Sequence, residues 1–248
     1  MKHFFTKPEN IIVKEGKSFV SITGSDVNHI KNVLRMKESD ELLISDGLGN
    51  DYACQISSIT DDEIFCEVVS KEYSYSELQS KIYLFQGLPK SDKFEHIIQK
   101  SVELGVYEII PVALSRCVVK YDDKKSKSKV ERWQKISESA AKQSRRAIIP
   151  NVHDVVTLDE ALRIAKDIDV KLIPYENFKD LKGTKEIINN IKPGNSIAII
   201  VGPEGGLAEE EVKKANEAGF KNISLGSRIL RTETAPLMLL SVLMFNLE

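Results

Sequence analysis

Two short segments near the end of the 248-residue chain carry the residue types best placed for chemistry. The first reads Ile197-Ala198-Ile199-Ile200-Val201-Gly202-Pro203-Glu204-Gly205-Gly206-Leu207-Ala208, followed by Glu209, Glu210, Glu211 and Val212. An apolar run enters a glycine-rich turn and a helix leaves it. Such a turn lets backbone approach a ligand closely, and the helix N-terminus often receives phosphate. The side chains argue against phosphate here. No G-K-[ST] is present in the turn, so neither a lysine nor a Mg²⁺-binding hydroxyl is placed for a nucleoside triphosphate. Glu204 sits in the turn and three glutamates crowd the first helical turn, so a neutral or cationic ligand is better tolerated than an anion. The plainer alternative is a strand-to-helix connection with acidic residues at the helix end.

The second segment reads Leu225-Gly226-Ser227-Arg228-Ile229-Leu230-Arg231-Thr232-Glu233-Thr234-Ala235-Pro236. Two arginines flank an apolar pair, and Thr232 or Glu233 opens a final helix. Alone, this could be a capped helix start with surface arginines. Two loops at the carboxyl ends of neighbouring strands are, however, where α/β folds build ligand sites.

The elements that must position these loops follow from periodicity. Residues 1–72 read as short strands with one helix. Phe19–Ile22, Glu41–Ser45, Tyr52–Ile56 and Ile64–Val69 are strand-like, and Gly47–Asn50 is a hairpin turn. Ser25 is expected to cap a helix with Val27, Ile30, Val33 and Leu34 on one stripe. Tight strand spacing around one helix predicts a small barrel-like module. The polar stretch 70–80 marks a boundary.

Beyond it the rhythm changes to apolar strands alternating with amphipathic helices, the pattern of a parallel α/β sheet. Strands are expected at Lys81–Phe85, Glu108–Val112, Val170–Pro174, Ser196–Val201 and Asn222–Leu225. Helices are expected at Val130–Arg145, Leu158–Lys166, Ala208–Ala218 and Glu233–Leu247. A further helix, capped by Ser91 and stopped by Gly105, carries Phe94, Ile97, Ile98 and Val102 on one face.

Composition narrows the function classes. With 42% hydrophobic and 29% charged residues, the chain has the makeup of a folded protein with a sizeable core. Its formal charge of −2 predicts no polyanion partner, but that charge is unevenly spread. The first 72 residues hold eight basic and thirteen acidic side chains, net −5. The stretch 116–146 holds eleven basic and four acidic ones, net +7. That run is either a solvated face or a phosphate-backbone footprint. Cys54, Cys66 and Cys117 show no C-x-x-C spacing, and His3, His29, His96 and His153 are scattered, so neither a disulfide framework nor a metal is expected. The start MKHFFTKPEN has no apolar core and the longest greasy stretch, Ala235–Phe245, is too short to span a bilayer. A soluble, cytoplasmic protein is expected.

Taken together, the two C-terminal segments resemble the signature of the RsmE family of SPOUT methyltransferases. Matching pieces recur in order along the chain. They are His29-Ile30-Lys31-Asn32-Val33-Leu34-Arg35; Lys100-x-x-Glu103-Leu104-Gly105-Val106 with Pro111 and Arg116; and Glu131-Arg132-Trp133 with Ala140-Ala141-Lys142-Gln143-Ser144-Arg145-Arg146 and Pro150. Leu207-Ala208 departs from an aromatic and a serine usual in the family, and Lys2-His3 stands where an arginine is common.

The resemblance implies a PUA-like RNA-binding domain over 1–72 and a trefoil-knotted SPOUT domain over 73–248. It further implies a homodimer, S-adenosylmethionine as methyl donor, and N3-methylation of one uridine in 16S ribosomal RNA within the 30S subunit. Gly202, Pro203, Glu204, Gly205, Gly206, Leu225, Gly226, Ile229, Leu230 and Thr234 would hold the donor. Uracil N3 must lose a proton, which places negative charge on the flanking carbonyl oxygens. Arg231, or Arg228, would stabilise that charge, with Glu233 orienting the arginine or accepting the proton. Lys31, Arg35, Arg116, Arg132, Arg145 and Arg146 are the candidate RNA contacts, and His29 stands beside them. The rival readings are a non-catalytic RNA-binding protein, a nucleotide hydrolase, and a related enzyme acting on transfer RNA.

Overall fold

The computed structural model describes every residue except Glu15, Ser74 and Ser91, together with the side chains of all but Tyr73 and Asp123 among those described. The cap expected at Ser91 therefore lies outside the described residues. The chain divides into two compact units, residues 1–77 with 141–149, and residues 78–140 with 150–248. The sequence expectation divided it once, after residue 72.

In the first unit the strands are β1 (Lys2–Phe5), β2 (Ile11–Lys14), β3 (Lys17–Thr23), β4 (Glu41–Ser45), β5 (Asn50–Ile59) and β6 (Glu63–Tyr73), with the short helix α1 (Ser25–Asn28) after β3. They form one mixed sheet in the order β1-β4-β5-β6-β3-β2, in which β1 and β4 are parallel and the other pairs antiparallel. Register shifts at Ala53/Cys54 and Ile56/Ser58 put irregularities into β5, a device that bends a sheet. Thr6, just past β1, donates from Oγ1 to the carbonyl of Ser21 in β3 at 3.4 Å, so the sheet curls back on itself. One side encloses Val20, Ile22, Leu42, Ile44, Tyr52, Cys54, Ile56, Ile64 and Cys66. Burial pushes the Cys54 and Cys66 thiols up to about 12, the neighbouring Cys66 adding to the first, so both pack as neutral apolar groups.

The expected helix stripe is met in part. Val27 and Ile30 are buried, but Val33 is exposed. Residues His29–Val33 form a π-helical turn, closed by Leu34 N–H to the His29 carbonyl at 2.8 Å. The wider turn rotates Val33 off the face that a regular helix would bury.

The second unit is a parallel sheet. Its strands are β7 (Lys81–Gly87), β8 (Glu108–Ala113), β9 (Asn151–Val152), β10 (Val156–Thr157), β11 (Val170–Pro174), β12 (Ser196–Val201) and β13 (Lys221–Ile223). Their order is β10-β8-β7-β12-β11-β13, with β9 also on β8. The helices are α2 (Lys93–Glu103), α3 (Asp123–Ser144), α4 (Leu158–Ile164), α5 (Leu181–Asn189), α6 (Glu209–Glu217) and α7 (Thr234–Leu247). β7 and β12 are the central pair, paired in register from Lys81 with Ser196 to Gln86 with Val201, and Ile82, Leu84, Phe85 and Ile197–Ile200 are all buried. Continuous apolar runs suit strands covered on both faces. Phe94, Ile97, Ile98 and Val102 of α2 and Leu239, Leu240, Leu243 and Leu247 of α7 supply cover. Trp133 of α3 is buried edge-on against Phe94, ring centroids 4.4 Å apart. Among the described residues no helix is long and apolar enough to cross a membrane.

The path of the chain at the carboxyl ends of these strands decides what the fold can do. From the edge strand β13 the segment 224–233 runs back over β11 and β12 to β7. There Thr232 donates to the Gly202 carbonyl at 2.7 Å and accepts from Gln86 Nε2 at 3.1 Å. This return crossing pins the second loop over the first.

Candidate functional site

The glycine turn after β12 is shaped by contacts that only small residues permit. A Cβ on Gly202 would stand 2.7 Å from the Gly206 carbonyl carbon and 2.8 Å from Leu207 N, so the turn folds too tightly for any side chain. Gly206 closes it at φ +68°, in the left-handed region, with its N–H donating to the Pro203 carbonyl at 2.9 Å. The loop after β8 braces the turn from outside. Arg116 Nη1 donates to the Gly205 carbonyl at 2.9 Å. Glu211, one of the three helix-end glutamates, accepts from Ala208 N–H at 2.8 Å and from Ser115 N–H at 2.7 Å. It is thus a capping group, as the plainer sequence reading had it.

Between this turn, the segment 224–232 and the residues that follow β11 lies a cavity of about 380 Å³. The sequence-derived residues Gly202, Pro203, Glu204, Gly206, Leu225, Gly226, Arg228, Ile229, Leu230 and Arg231 line it. Gly205, Glu233 and Thr234 do not: Gly205 turns its carbonyl to Arg116, and Thr234 is already the first residue of α7. The structure adds residues the two motifs did not point to. Tyr175, Glu176, Phe178 and Lys179 come from the tail of β11, and Lys93 from the first turn of α2. The β11 contribution could have been found, because β11 was an expected strand and its carboxyl end faces the same way as that of β12. Nothing in the sequence marked Lys93.

Lys93 organises the charge at the rim. Its ammonium stands 3.2 Å from Glu204 Oε1 and 3.2 Å from Glu233 Oε2. Glu204 also accepts from Lys90 N–H at 3.1 Å. Burial pushes the Glu204 carboxyl up, but its own N–H, the Lys90 N–H and Lys93 outweigh this and hold it below the ordinary carboxylate range. Glu233 behaves alike, with burial opposed by its own N–H, Lys93 and Arg231. Hydrogen bonds first to Glu233 and then to Glu204 raise Lys93 above the usual lysine value. Both carboxylates are therefore ionised and the amine protonated at neutral pH.

The lining is mixed in sign rather than acidic, as the turn alone had suggested, because Arg228, Arg231, Lys93 and Lys179 enter beside Glu176 and Glu204. The two lysines are held differently. Lys93 is held by two carboxylates, and Lys179 Nζ donates to the Glu176 carbonyl at 2.8 Å. Arg228 and Arg231 have exposed side chains. The backbone of Arg231 is fixed: its carbonyl accepts from Thr234 and Ala235 N–H at 2.8 and 3.0 Å, opening α7.

The expected RNA contacts separate into three kinds. Arg35 and Arg145 are exposed, each at positive φ, +53° and +58°. Lys31 pairs with Asp61 at 2.6 Å and Arg132 with Glu95 at 2.8 Å, while Arg116 holds the glycine turn. Arg146 must be withdrawn from the list. It is 4% exposed, and its guanidinium grips Glu77, with Nη2 to Oε2 at 2.6 Å and Nε to Oε1 at 3.2 Å. Glu77 also accepts from the Ala147 and Ile148 N–H groups, so the pair is an internal tie.

Comparison with known proteins adds to this geometry. A family model described as an RNA methyltransferase domain matches residues 76–244, and one described as an RNA methyltransferase PUA domain matches residues 22–69. The chain is similar to the ribosomal RNA small subunit methyltransferase E of Bacillus subtilis (strain 168), at 40% identity over 100% of this chain and 98% of that one. It is also similar to the protein of the same name in Mesomycoplasma hyopneumoniae, at 34% identity over 91% of this chain and 93% of that one. Its fold superimposes on a crystal structure of a ribosomal RNA small subunit methyltransferase E from Neisseria gonorrhoeae bound to S-adenosyl methionine, with a TM-score of 0.82 and 31% identity over 99% of this chain and 97% of that one.

Proposed function

Because the chain belongs to the ribosomal RNA small subunit methyltransferase E family, we propose that it transfers a methyl group from S-adenosylmethionine to N3 of a uridine in 16S ribosomal RNA. The substrate is the assembled 30S subunit, and the enzyme works in the cytoplasm as a homodimer. The observation that carries this reading is the cavity between the two C-terminal loops. Its volume of about 380 Å³ suits a small cofactor, and its mixed-sign lining suits a ligand carrying both positive and negative groups.

S-adenosylmethionine, when bound, supplies an electrophilic methyl carbon whose bond to sulfur breaks as the bond to N3 forms, the electron pair staying on sulfur. The chain's own residues do the rest. The tight backbone of Gly202–Gly206 and the apolar Leu225, Ile229 and Leu230 would hold the donor. Arg231, whose backbone is anchored while its guanidinium is exposed, would meet the negative charge that develops on the uracil carbonyl oxygens as N3 gives up its proton. Arg228 is the neighbouring candidate for the same task. A uridine stacked or paired in the ribosome would first have to be turned outwards, at a cost of a few kcal/mol.

Two observations support the finer points. α7 buries Leu239, Leu240 and Leu243 yet leaves Met238, Val242 and Phe245 exposed on successive turns, Phe245 by 86%. An apolar helix face of this kind is the natural seat of a second copy of the chain. Sedimentation of Phe245→Glu is expected to show a monomer where the unmodified protein is a dimer; a dimer in both would remove this face from the interface. Exposed Arg35 and Arg145 leave cations in the first unit to meet RNA despite its acidic balance.

Incubating the protein with methyl-labelled S-adenosylmethionine and 30S subunits that lack the modification tests the reading. Nucleoside mass spectrometry is expected to find 3-methyluridine in 16S RNA from subunits. Label appearing in transfer RNA instead would move the enzyme to another substrate. Failure to bind the donor would leave a non-catalytic RNA-binding protein.

A further inference from the structure

The catalytic reading uses the two loops but not α2, although α2 sends one side chain to both. Lys93 Nζ lies 3.2 Å from a carboxylate of the glycine turn and 3.2 Å from a carboxylate of the arginine segment. Glu233 Oε2 is shut off from solvent and finds no hydrogen-bond donor among the described residues beyond this ion contact. Glu204 is tied a second time to the approach to α2, through Lys90 N–H. One ammonium therefore joins two segments that also meet in the Thr232–Gly202 hydrogen bond.

From this arrangement we propose that Lys93 is a positioning residue for methyl transfer: it clamps both donor-holding loops to α2 and keeps Glu233 engaged as a carboxylate, so that the uridine N3 proton passes to water and not to Glu233. The proposal rests on the methyltransferase reading above. It narrows the two roles open to Glu233 from sequence to one. A carboxylate already neutralised by an ammonium has little affinity for a proton, and its oxygen is spent on that contact.

The charges around Lys93 set what its removal does. Glu204 and Glu233 would face each other across the rim with no cation between them. Arg231 acts on Glu233 from the same segment, and Arg228 stands further along it. Glu176 and Lys179 approach from the tail of β11, and the buried Cys117 thiol, held up by burial, lies within the field of Glu204. Without the ammonium, burial still works against ionisation of both carboxylates, and what remains to oppose it is each group's own N–H, with Lys90 N–H at Glu204 and Arg231 at Glu233. One of the pair then takes a proton as the pH falls, and the repulsion that opens the loops is relieved.

Calorimetry with S-adenosylhomocysteine, which carries no sulfonium charge, reads this directly. The wild-type affinity is expected to be flat between about pH 5.5 and 8, because both carboxylates stay ionised there. Lys93→Met is expected to bind about tenfold more weakly at the top of that range and to recover as the pH is lowered. Lys93→Arg restores the clamp and is expected to stay within about threefold of wild type. The double variant Lys93→Met with Glu233→Gln removes one charge of each sign and is expected to regain most of the loss without acid. It also carries the test if the single variant does not fold. Wild-type affinity in Lys93→Met, or a loss that is the same at every pH and persists in the double variant, overturns the clamp. Failure of the unmodified protein to bind either S-adenosylmethionine or S-adenosylhomocysteine sinks the methyltransferase reading instead.

Discussion

Arg231→Ala is expected to bind S-adenosylmethionine as tightly as the unmodified protein and to turn over 30S subunits about 10²–10³-fold more slowly, a loss of about 3–4 kcal/mol of transition-state stabilisation. The expectation separates backbone from side chain. The Arg231 carbonyl caps the start of α7 through Thr234 and Ala235, and alanine keeps both bonds. What disappears is the exposed guanidinium, which acts on Glu233 through its charge. A donor matched to charge that exists only during reaction affects kcat and leaves cofactor affinity alone. Single-turnover kinetics on subunits, beside calorimetry with the cofactor, check this. Undiminished turnover with intact binding would pass the role to Arg228.

Arg145 and Arg146, neighbours in a basic run, are expected to behave as opposites. Arg146→Ala leaves Glu77 charged and buried without its cation, and breaking a buried pair in this way costs about 3–5 kcal/mol. Glu77 keeps the Ala147 and Ile148 N–H groups, which places the loss at the lower end of that range. Thermal unfolding is expected to shift down strongly while donor affinity in the second unit persists. Arg145→Glu is expected to leave the stability within about 1 kcal/mol of wild type. It should weaken 30S binding and lower the slope of log affinity against log salt by about one. If the two variants exchanged these phenotypes, the buried pair would not exist in solution and the basic face would run through Arg146.

That contrast shows where sequence reading ran out. Both arginines belong to the same run of net +7, and sign and spacing alone cannot say which one meets Glu77, 69 positions earlier. Lys93 escaped notice for the same reason, since its meaning depends on two glutamates far along the chain. The helix α5 was not expected at all. Its segment LKGTKEIIN holds a glycine and a threonine, poor helix formers, and it is secured by Asp180 accepting from Gly183 N–H at 2.8 Å. The start of α3, rich in lysine and serine, gave no apolar stripe, so the helix was expected from Val130 and in fact begins at Asp123.

What was legible was local. β11 and β12 occupy the residues expected of them: β12 is an apolar run from Ile197 to Val201 closed by the glycine turn, and β11 is a short, mainly apolar run closed by Pro174. The glycine turn and the arginine segment could be named as a site because backbone freedom and charge are properties of residues in a row. Which side chains enter the cavity, which cation is held and which is left exposed depend on crossings between distant segments. Thr232 reaching Gln86 and Gly202 decides the first, and Lys93 and Glu77 the second and third. A pairwise contact is a fact about distance in space, and the linear order of a chain records only the distance along it.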